Sequence, residues 1–463
     1  MIAGTRVRLA HALGSAAWRF GPVAARRKAA PVALREVFDD LGGTFTKFGQ
    51  LIGSAPSIFG EEVSAVFRGC LDAGPPVPFR AVRVAVETEL GRPLEQAYAS
   101  FEEAPLAAAS IAVVHRAVLH DGTPVAVKVL RPGIEHMVAT DLDVMRPLFG
   151  WIGRNVAVGV AGTLPGLIDG LREQIVEELD LRREAASIQW FAGLLGDMDL
   201  PLVQVPDVYP ELSGRTVLTM ELLDGVPIDD ATSLAEQGVD VRPAIEQVLK
   251  AWFATALCTG VFHGDIHAGN LLVDRHGRIA VLDWGIMGRM DDRTHRWFVR
   301  MIEGALGDET AWEEVAEHFE AVYGSDLIEN LGMTREQGVA FVRSMIEPLF
   351  QLPFGQVDLR TMLLNGPGEG SAAAGADRTL RARFQHWQSE RRFQRTMAES
   401  GGAGSSFDRG TFLLSKQLVF LDRYGKLYLP DTPLLWDRQV FETLLANART
   451  GNVPMPSTLT GTA

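Results

Sequence analysis

Asp265, Asn270 and Asp283 stand at a spacing that suits phosphoryl transfer. They belong to His263-Gly264-Asp265-Ile266-His267-Ala268-Gly269-Asn270 and to Leu282-Asp283-Trp284-Gly285. Asn270 follows Asp265 by five residues, and Asp283 follows Asn270 by thirteen. Phosphoryl transfer needs one carboxylate to orient the acceptor or take its proton, and oxygen ligands that hold Mg²⁺ against the phosphates. Asp265 suits the first task; Asn270 and Asp283 suit the second. The plainer alternative is a polar turn between two core strands, and three such groups at this spacing weigh against it.

A lysine upstream fits the same chemistry. Thr123-Pro124-Val125-Ala126-Val127-Lys128-Val129 alternates like a strand with Lys128 in its middle. An ammonium on a largely apolar strand needs a counter-charge, because burying it unpaired is costly. In kinases such a lysine pairs with a helix glutamate and touches the α- and β-phosphates. Glu184, in Glu177-Glu178-Leu179-Asp180-Leu181-Arg182-Arg183-Glu184, is the candidate partner. The Gly-rich loop that should precede such a strand is missing. Pro105-Leu106-Ala107-Ala108-Ala109-Ser110-Ile111 stands in its place. Alanine reaches positive φ less readily than glycine, so this backbone should cradle phosphates differently.

Together these motifs resemble the UbiB family, also called the ABC1 or ADCK-like atypical kinases. Lys47-Phe48-Gly49-Gln50 reads as the family's KxGQ signature, Ala107 to Ser110 as its Ala-rich nucleotide loop, and Glu178-Leu179-Asp180 with Glu184 as its ExD helix. The resemblance covers roughly residues 40–290. It departs where Ala112-Val113 replaces the usual Gly-Gln and where the metal motif reads Asp-Trp-Gly. It implies an α+β, protein-kinase-like two-lobed fold with an N-terminal helical KxGQ extension and a helical C-terminal extension. It also implies that Lys47 approaches Glu178 or the phosphates and that ADP is preferred over ATP; Gln50, three residues after Lys47, shares its helical face by spacing alone. A role in isoprenoid-quinone or other lipid metabolism at a membrane surface follows from the resemblance alone.

Elements to position these groups can be assigned from pattern and punctuation. Residues 36–100 read as helices, broken at Gly74-Pro75-Pro76-Val77-Pro78. Residues 101–225 read as a small, mostly antiparallel lobe with a long helical insert. Its strand Thr216 to Glu221 leads into Met220-Glu221-Leu222-Leu223, a hinge that would receive an adenine edge. Residues 226–345 read as a helical lobe led by Ala244 to Gly260. Only Met287 to Asp292 precede the next helix, so no long activation loop is expected. Residues 346–463 read as a helical extension with helices at Thr379 to Met397 and Phe412 to Leu421. Gly/Ser/Ala-rich linkers at 366–376 and 399–406 interrupt it.

Composition bounds the rest. The chain has 463 residues, 47% of them apolar and 22% charged, as a globular protein with a large core should. Net charge is −14, from 58 acids against 44 bases, which argues against bulk nucleic-acid binding. Two cysteines, Cys70 and Cys258, make no disulfide framework and suggest a reducing, cytoplasmic setting. No uninterrupted apolar stretch is long enough to span a bilayer. Residues 1–35 carry seven Lys or Arg and no acid. Leu9, Leu13, Ala17 and Phe20 share one helical face, so this segment could lie on an anionic membrane surface; a transit peptide is the alternative. His263 and His267 lie four apart, but Gly264 and Gly269 argue against a helix there, and zinc is not expected.

The reading is therefore an atypical kinase or ATPase that takes ATP or ADP with Mg²⁺. Lys128 orients phosphates, Glu184 positions Lys128, Asp265 orients the acceptor, and Asn270 and Asp283 hold the metal. A small-molecule phosphotransferase of the aminoglycoside or choline kinase type is the rival, favoured by His-Gly-Asp and Asp-Trp-Gly. A non-catalytic nucleotide-binding scaffold is a third reading. The acceptor and the oligomeric state are not legible.

Overall fold

The computed structural model describes residues 30–41, 44–54, 61–67, 76–143, 164–323, 328, 332–357 and 409–450. The basic segment 1–29, Cys70, the two linkers and the expected helix Thr379 to Met397 lie outside the described residues. The described residues fall into two compact units. One is drawn from 1–158, 168–189 and 206–223, the other from 159–167, 190–205 and 224–463.

The first unit begins with α1 (Ala30–Leu41), α2 (Thr44–Ser54) and α3 (Glu61–Phe67). Four fully buried phenylalanines tie them together: Phe38 meets Phe45, Phe48 and Phe67 edge-on, with ring centroids 5.7, 6.1 and 5.5 Å apart. Phe45 and Phe48 are three apart on α2, so one face of the helix that carries Lys47 is pinned. After the proline break come α4 (Phe79–Leu90) and α5 (Leu94–Ala97). Gly91 ends α4 in the left-handed conformation, φ 64°, which a side chain would resist.

The sheet of this unit contains β1 (Ser100–Ala108), β2 (Ala112–Val118), β3 (Pro124–Leu130) and, later in the chain, β5 (Val217–Glu221). It runs in the order β1-β2-β3-β5, antiparallel throughout. On β3, Val125, Val127 and Val129 enter one core with Val82 and Val86 of α4, Tyr98, Val113 and Val217. The period of two then puts Lys128 on the other face of the sheet. A helix over 134–143, α6, follows β3. Next come α7 (Leu164–Glu178) and α8 (Leu181–Asp197). The sequence suggested one helix through Glu177 to Ala185. Instead the chain breaks at Leu179-Asp180, because the Asp180 carboxylate accepts from the Arg182 N–H (3.2 Å) and starts a new helix.

The second unit holds β4 (Val203–Gln204), β6 (Val226–Pro227), α9 (Ala231–Glu236) and α10 (Arg242–Thr259). α10 is buried along most of its length, with Trp252 and Phe253 at its centre. It extends two residues further N-terminal than Ala244, since Pro243 sits in the first helical turn, where its missing N–H costs nothing. Gly260 closes it at φ 68°. β7 (Val261–His263), β8 (Leu271–Val273), β9 (Ile279–Val281) and β10 (Met287–Arg289) follow. β7 pairs with β10, while β8 and β9 form a hairpin in the order β4-β9-β8-β6. The Asp274 to Gly277 turn closes with Gly277 N donating to Asp274 O (3.0 Å). Among the described residues the unit continues with α11 (Asp292–Ala305), α12 (Ala311–Tyr323), α13 (Arg335–Gln351), α14 (Arg409–Tyr428) and α15 (Arg438–Thr450). α14 runs three residues earlier and seven later than the apolar pattern Phe412 to Leu421 suggested, and both added ends carry polar residues.

Candidate active site

In the first unit the structure brings two lysines onto two glutamates. Lys128 Nζ donates to both oxygens of Glu184, at 2.7 and 2.9 Å. Glu184 stands in the first turn of α8 and is only 3% exposed. Lys47 Nζ donates to Glu178 Oε2, and Gln174 Nε2 holds the other oxygen at 3.0 Å. Glu178 is the last residue of α7, so Glu178 and Glu184 sit on two helices rather than the single ExD helix expected. Asp180 is taken up locally: the Arg182 side chain, at 2.8 and 2.6 Å, holds its carboxyl below the ordinary range. The side chain of Gln50 lies outside the described residues.

The Ala-rich segment needs correction. Ala107 and Ala108 are strand residues of β1, opposite Val114 and Val113. Only Ala109, Ser110 and Ile111 form the turn into β2. Ala109 N donates to Ala112 O (2.9 Å), closing the hairpin. Arg131 then clamps it, with Nε and Nη2 both donating to Ala109 O at 2.9 and 2.8 Å. Sequence reasoning missed Arg131. The signal was an arginine directly after an apolar strand, which reads as an ordinary strand end until the sheet register sets it beside the turn. His115 is buried, with Nδ1 donating to Glu102 O (2.9 Å). Glu221 ends β5, its N–H donating to Asp207 O (2.8 Å).

In the second unit the His263 to Asn270 loop connects β7 to β8. His263 Nδ1 accepts from Asp265 N (3.0 Å). Burial, outweighing the nearby carboxylates, pushes this imidazole down to about 4. Trp284 packs edge-on against His263 with centroids 4.5 Å apart, and its Nε1 donates to Val281 O (3.0 Å). A tryptophan in Asp-Trp-Gly therefore serves as a buried wall for the loop. A Cβ on Gly264 would crowd Ile286 and Gly288 at 3.0–3.2 Å, closer than ordinary van der Waals contact.

Asp265 is the charged centre of this loop. Its Oδ1 accepts from Lys416 Nζ at 2.7 Å, and His267 Nε2 lies 3.7 Å from Oδ2. Burial pushes this carboxyl up, but Lys416 first and then His267 prevail and hold it below its ordinary value. Asn270 is buried, its Nδ2 donating to Asp265 O (3.0 Å). Leu282 N donates to Asn270 O (3.0 Å), which ties the loop beside the strand end that carries Asp283. Asp283 Oδ1 accepts from Gly285 N (3.0 Å). Asn270 turns its amide nitrogen to the backbone, and its amide oxygen and the Asp283 carboxylate are oxygen donors of the kind that suits Mg²⁺. Among the described residues no group of three or more His, Cys, Asp or Glu is arranged to hold a metal. Lys416 was not legible as a site residue, since it lies 151 positions from Asp265 in an extension without a motif.

A family model described as "ABC1 atypical kinase-like domain" matches residues 70–318. The chain is 33% identical over 426 residues to an uncharacterized chloroplastic aarF domain-containing protein kinase of Arabidopsis thaliana, covering 91% of this chain and 75% of that one. It is 41% identical over 274 residues to an uncharacterized protein of Mycobacterium tuberculosis, 59% of this chain and 56% of the relative. It is 31% identical over 337 residues to a probable protein kinase UbiB of Cellvibrio japonicus, 72% of this chain and 59% of the relative. The chain thus spans under two thirds of the length of the latter two.

Proposed function

The chain belongs to the ABC1 atypical kinase-like family, with a kinase-like α+β fold, and we propose on that footing that it binds ATP or ADP with Mg²⁺ and transfers or hydrolyses the terminal phosphate. The observation that carries this reading is the buried Lys128–Glu184 pair. An ammonium gripped by both oxygens of a helix carboxylate is fixed in place, as the phosphate-orienting lysine of a kinase is. Ala107, Ala108, Ala109 and Ser110 would shape the backbone around the phosphates, with Arg131 fixing the turn. The segment after Glu221 would take the adenine edge. Lys47 and Glu178 would act with Lys128 near the phosphates, and Gln50 shares the α2 signature.

Asn270 and Asp283 would hold the metal, which supplies neutralisation of charge on the phosphate oxygens. Asp265, kept ionised, orients the acceptor hydroxyl or a water molecule and receives its proton. The Lys47–Glu178 pair favours this reading over a small-molecule phosphotransferase, which has no use for it.

The resemblance to UbiB proteins supports a role in isoprenoid-quinone or related lipid metabolism at a membrane surface. No helix of the described residues is long and apolar enough to cross a membrane; the basic, acid-free residues 1–35 would make the contact. A melting assay with ATP and ADP, each with and without Mg²⁺, tests the nucleotide reading. The expected result is a Mg-dependent rise in melting temperature, and no rise with either nucleotide would overturn it. Flotation with anionic liposomes tests the membrane reading. Deleting residues 1–30 should abolish flotation while leaving nucleotide binding intact, and undiminished flotation would move the membrane contact elsewhere.

A further inference from the structure

Asp265 is held from outside its own loop. Lys416, on α14, reaches its Oδ1 at 2.7 Å, with the two side chains 20% and 18% exposed. The neighbouring Gln417 is fully buried and spends both ends of its amide on the same loop. Its Oε1 accepts from Ile266 N (2.8 Å), and its Nε2 donates to Gly264 O (2.6 Å). Two turns along α14, Tyr424 Oη donates to Ile266 O (3.1 Å). Phe420, one turn after Lys416, sets its ring 5.8 Å from the ammonium. Contacts from one helix thus reach the peptide groups on both sides of Asp265 and the carboxylate between them.

A chance surface pair would require none of this. A fully buried amide bonded at both ends fixes the register of α14 on the loop, because a slip by one residue would leave it unpaired and desolvated. The loop supplies no such cation itself: residues 263–270 contain two histidines and no Lys or Arg. His267 commits Nδ1 to Gly269 N (3.0 Å) and stays 3.7 Å from Asp265 Oδ2. Lys416 lies well beyond residues 70–318, so the family match assigns it nothing.

Resting on the phosphoryl-transfer reading, we propose that Lys416 is a positioning residue for Asp265, with α14 docked through Gln417 and Tyr424 so that Lys416 fixes Oδ1 and leaves Oδ2 to face the acceptor. Lys416 works through Asp265 and not through the nucleotide. Losing it should therefore cut turnover without weakening nucleotide binding.

The test uses the full chain. Phosphate release from Mg-ATP is measured for wild type, Lys416→Met, Lys416→Arg and Gln417→Leu, alongside amide exchange of the peptide spanning 263–270. Lys416→Met should lower kcat by ~10- to ~100-fold, as misplacement of a reacting group does, with KM for ATP changed by less than about twofold. Lys416→Arg should recover most of the loss. Amide exchange over 263–270 should rise about tenfold in Lys416→Met and Gln417→Leu, with β2 and β3 unaffected. An unchanged or increased kcat in Lys416→Met overturns the proposal, as does a loss that the arginine variant does not recover. A wild type that binds Mg-nucleotide but releases no phosphate counts against the phosphoryl-transfer reading alone. The exchange measurement then decides the role of α14, and unchanged exchange overturns it.

Discussion

The two units hold charge in opposite senses. In the first, a sheet and a helix present ammonium groups, and carboxylates on α7 and α8 restrain them. In the second, a loop presents a carboxylate, and an ammonium on α14 restrains it. Lys128–Glu184 and Lys416–Asp265 have the same 2.7 Å separation, yet Glu184 is 3% exposed and the Asp265 side chain 18%. The difference teaches what each unit keeps aimed: the first a cation suited to phosphate, the second an anion suited to an acceptor proton or a metal.

The sharpest break in this comparison is Lys128→Met. It leaves Glu184 buried without its ammonium and should lower unfolding stability by ~3–5 kcal/mol, the usual consequence of halving a buried pair. Lys416→Met leaves a wetter carboxylate with His267 still near and should cost only ~1–2 kcal/mol. Urea denaturation of both variants measures the contrast, and equal losses would erase the distinction drawn between the units. Next in size is Asp283→Asn. Mg-nucleotide at 100 times its Kd stabilises wild type by ~2.7 kcal/mol, and this gain should vanish in the variant while the apo melting temperature holds. A retained Mg-dependent shift would remove Asp283 from the metal site.

A pH dependence should appear in the second unit. His318 on α12 is buried against Trp297, with centroids 4.8 Å apart, and burial, helped by Arg293, pushes it down to about 4. The unfolded chain then binds a proton that the folded one refuses. Stability is full above about 6.5 and falls as pH drops toward 4, by at most ~1.4 kcal/mol per unit of pH. His318→Phe should remove its share of that slope in denaturant titrations at pH 7 and pH 5, leaving the share of the equally depressed His263, and an unaltered slope would assign the acid sensitivity elsewhere. The smallest effect concerns the turn after β1. Ala109→Gly should relax it by ~0.5–1 kcal/mol and shift the ADP-to-ATP preference toward ATP. Ala108→Gly, in the strand, should shift it less. Equal dissociation constants across wild type and both variants would count against the turn as the selector.

The contrast between units also marks what the sequence disclosed. Lys128 and Asp283 announced themselves because strand alternation and turn spacing are local patterns, and both their elements formed. The loop from His263 to Asn270 falls between two short apolar strands for the same reason. The helix break at Leu179-Asp180 was harder, since Asp180 looked like part of a motif and proved to start α8. Arg131 and Lys416 were invisible for a physical reason. Each acts on a group 22 or 151 positions away, and only sheet register or helix docking brings them there. Long-range pairing carries no period and no punctuation.

The pairing of β10 with β7 has a consequence for control. Only Trp284 to Asp291 separate the Asp283 carboxylate from α11, and Asp291 caps that helix by accepting from Thr294 N (2.6 Å). Those eight residues include no serine, threonine or tyrosine. A kinase with a phosphate switch has two settings at this point of its chain. In this chain the segment is stitched to β7 through β10 and offers no side-chain hydroxyl between Asp283 and α11 for a phosphate to remodel.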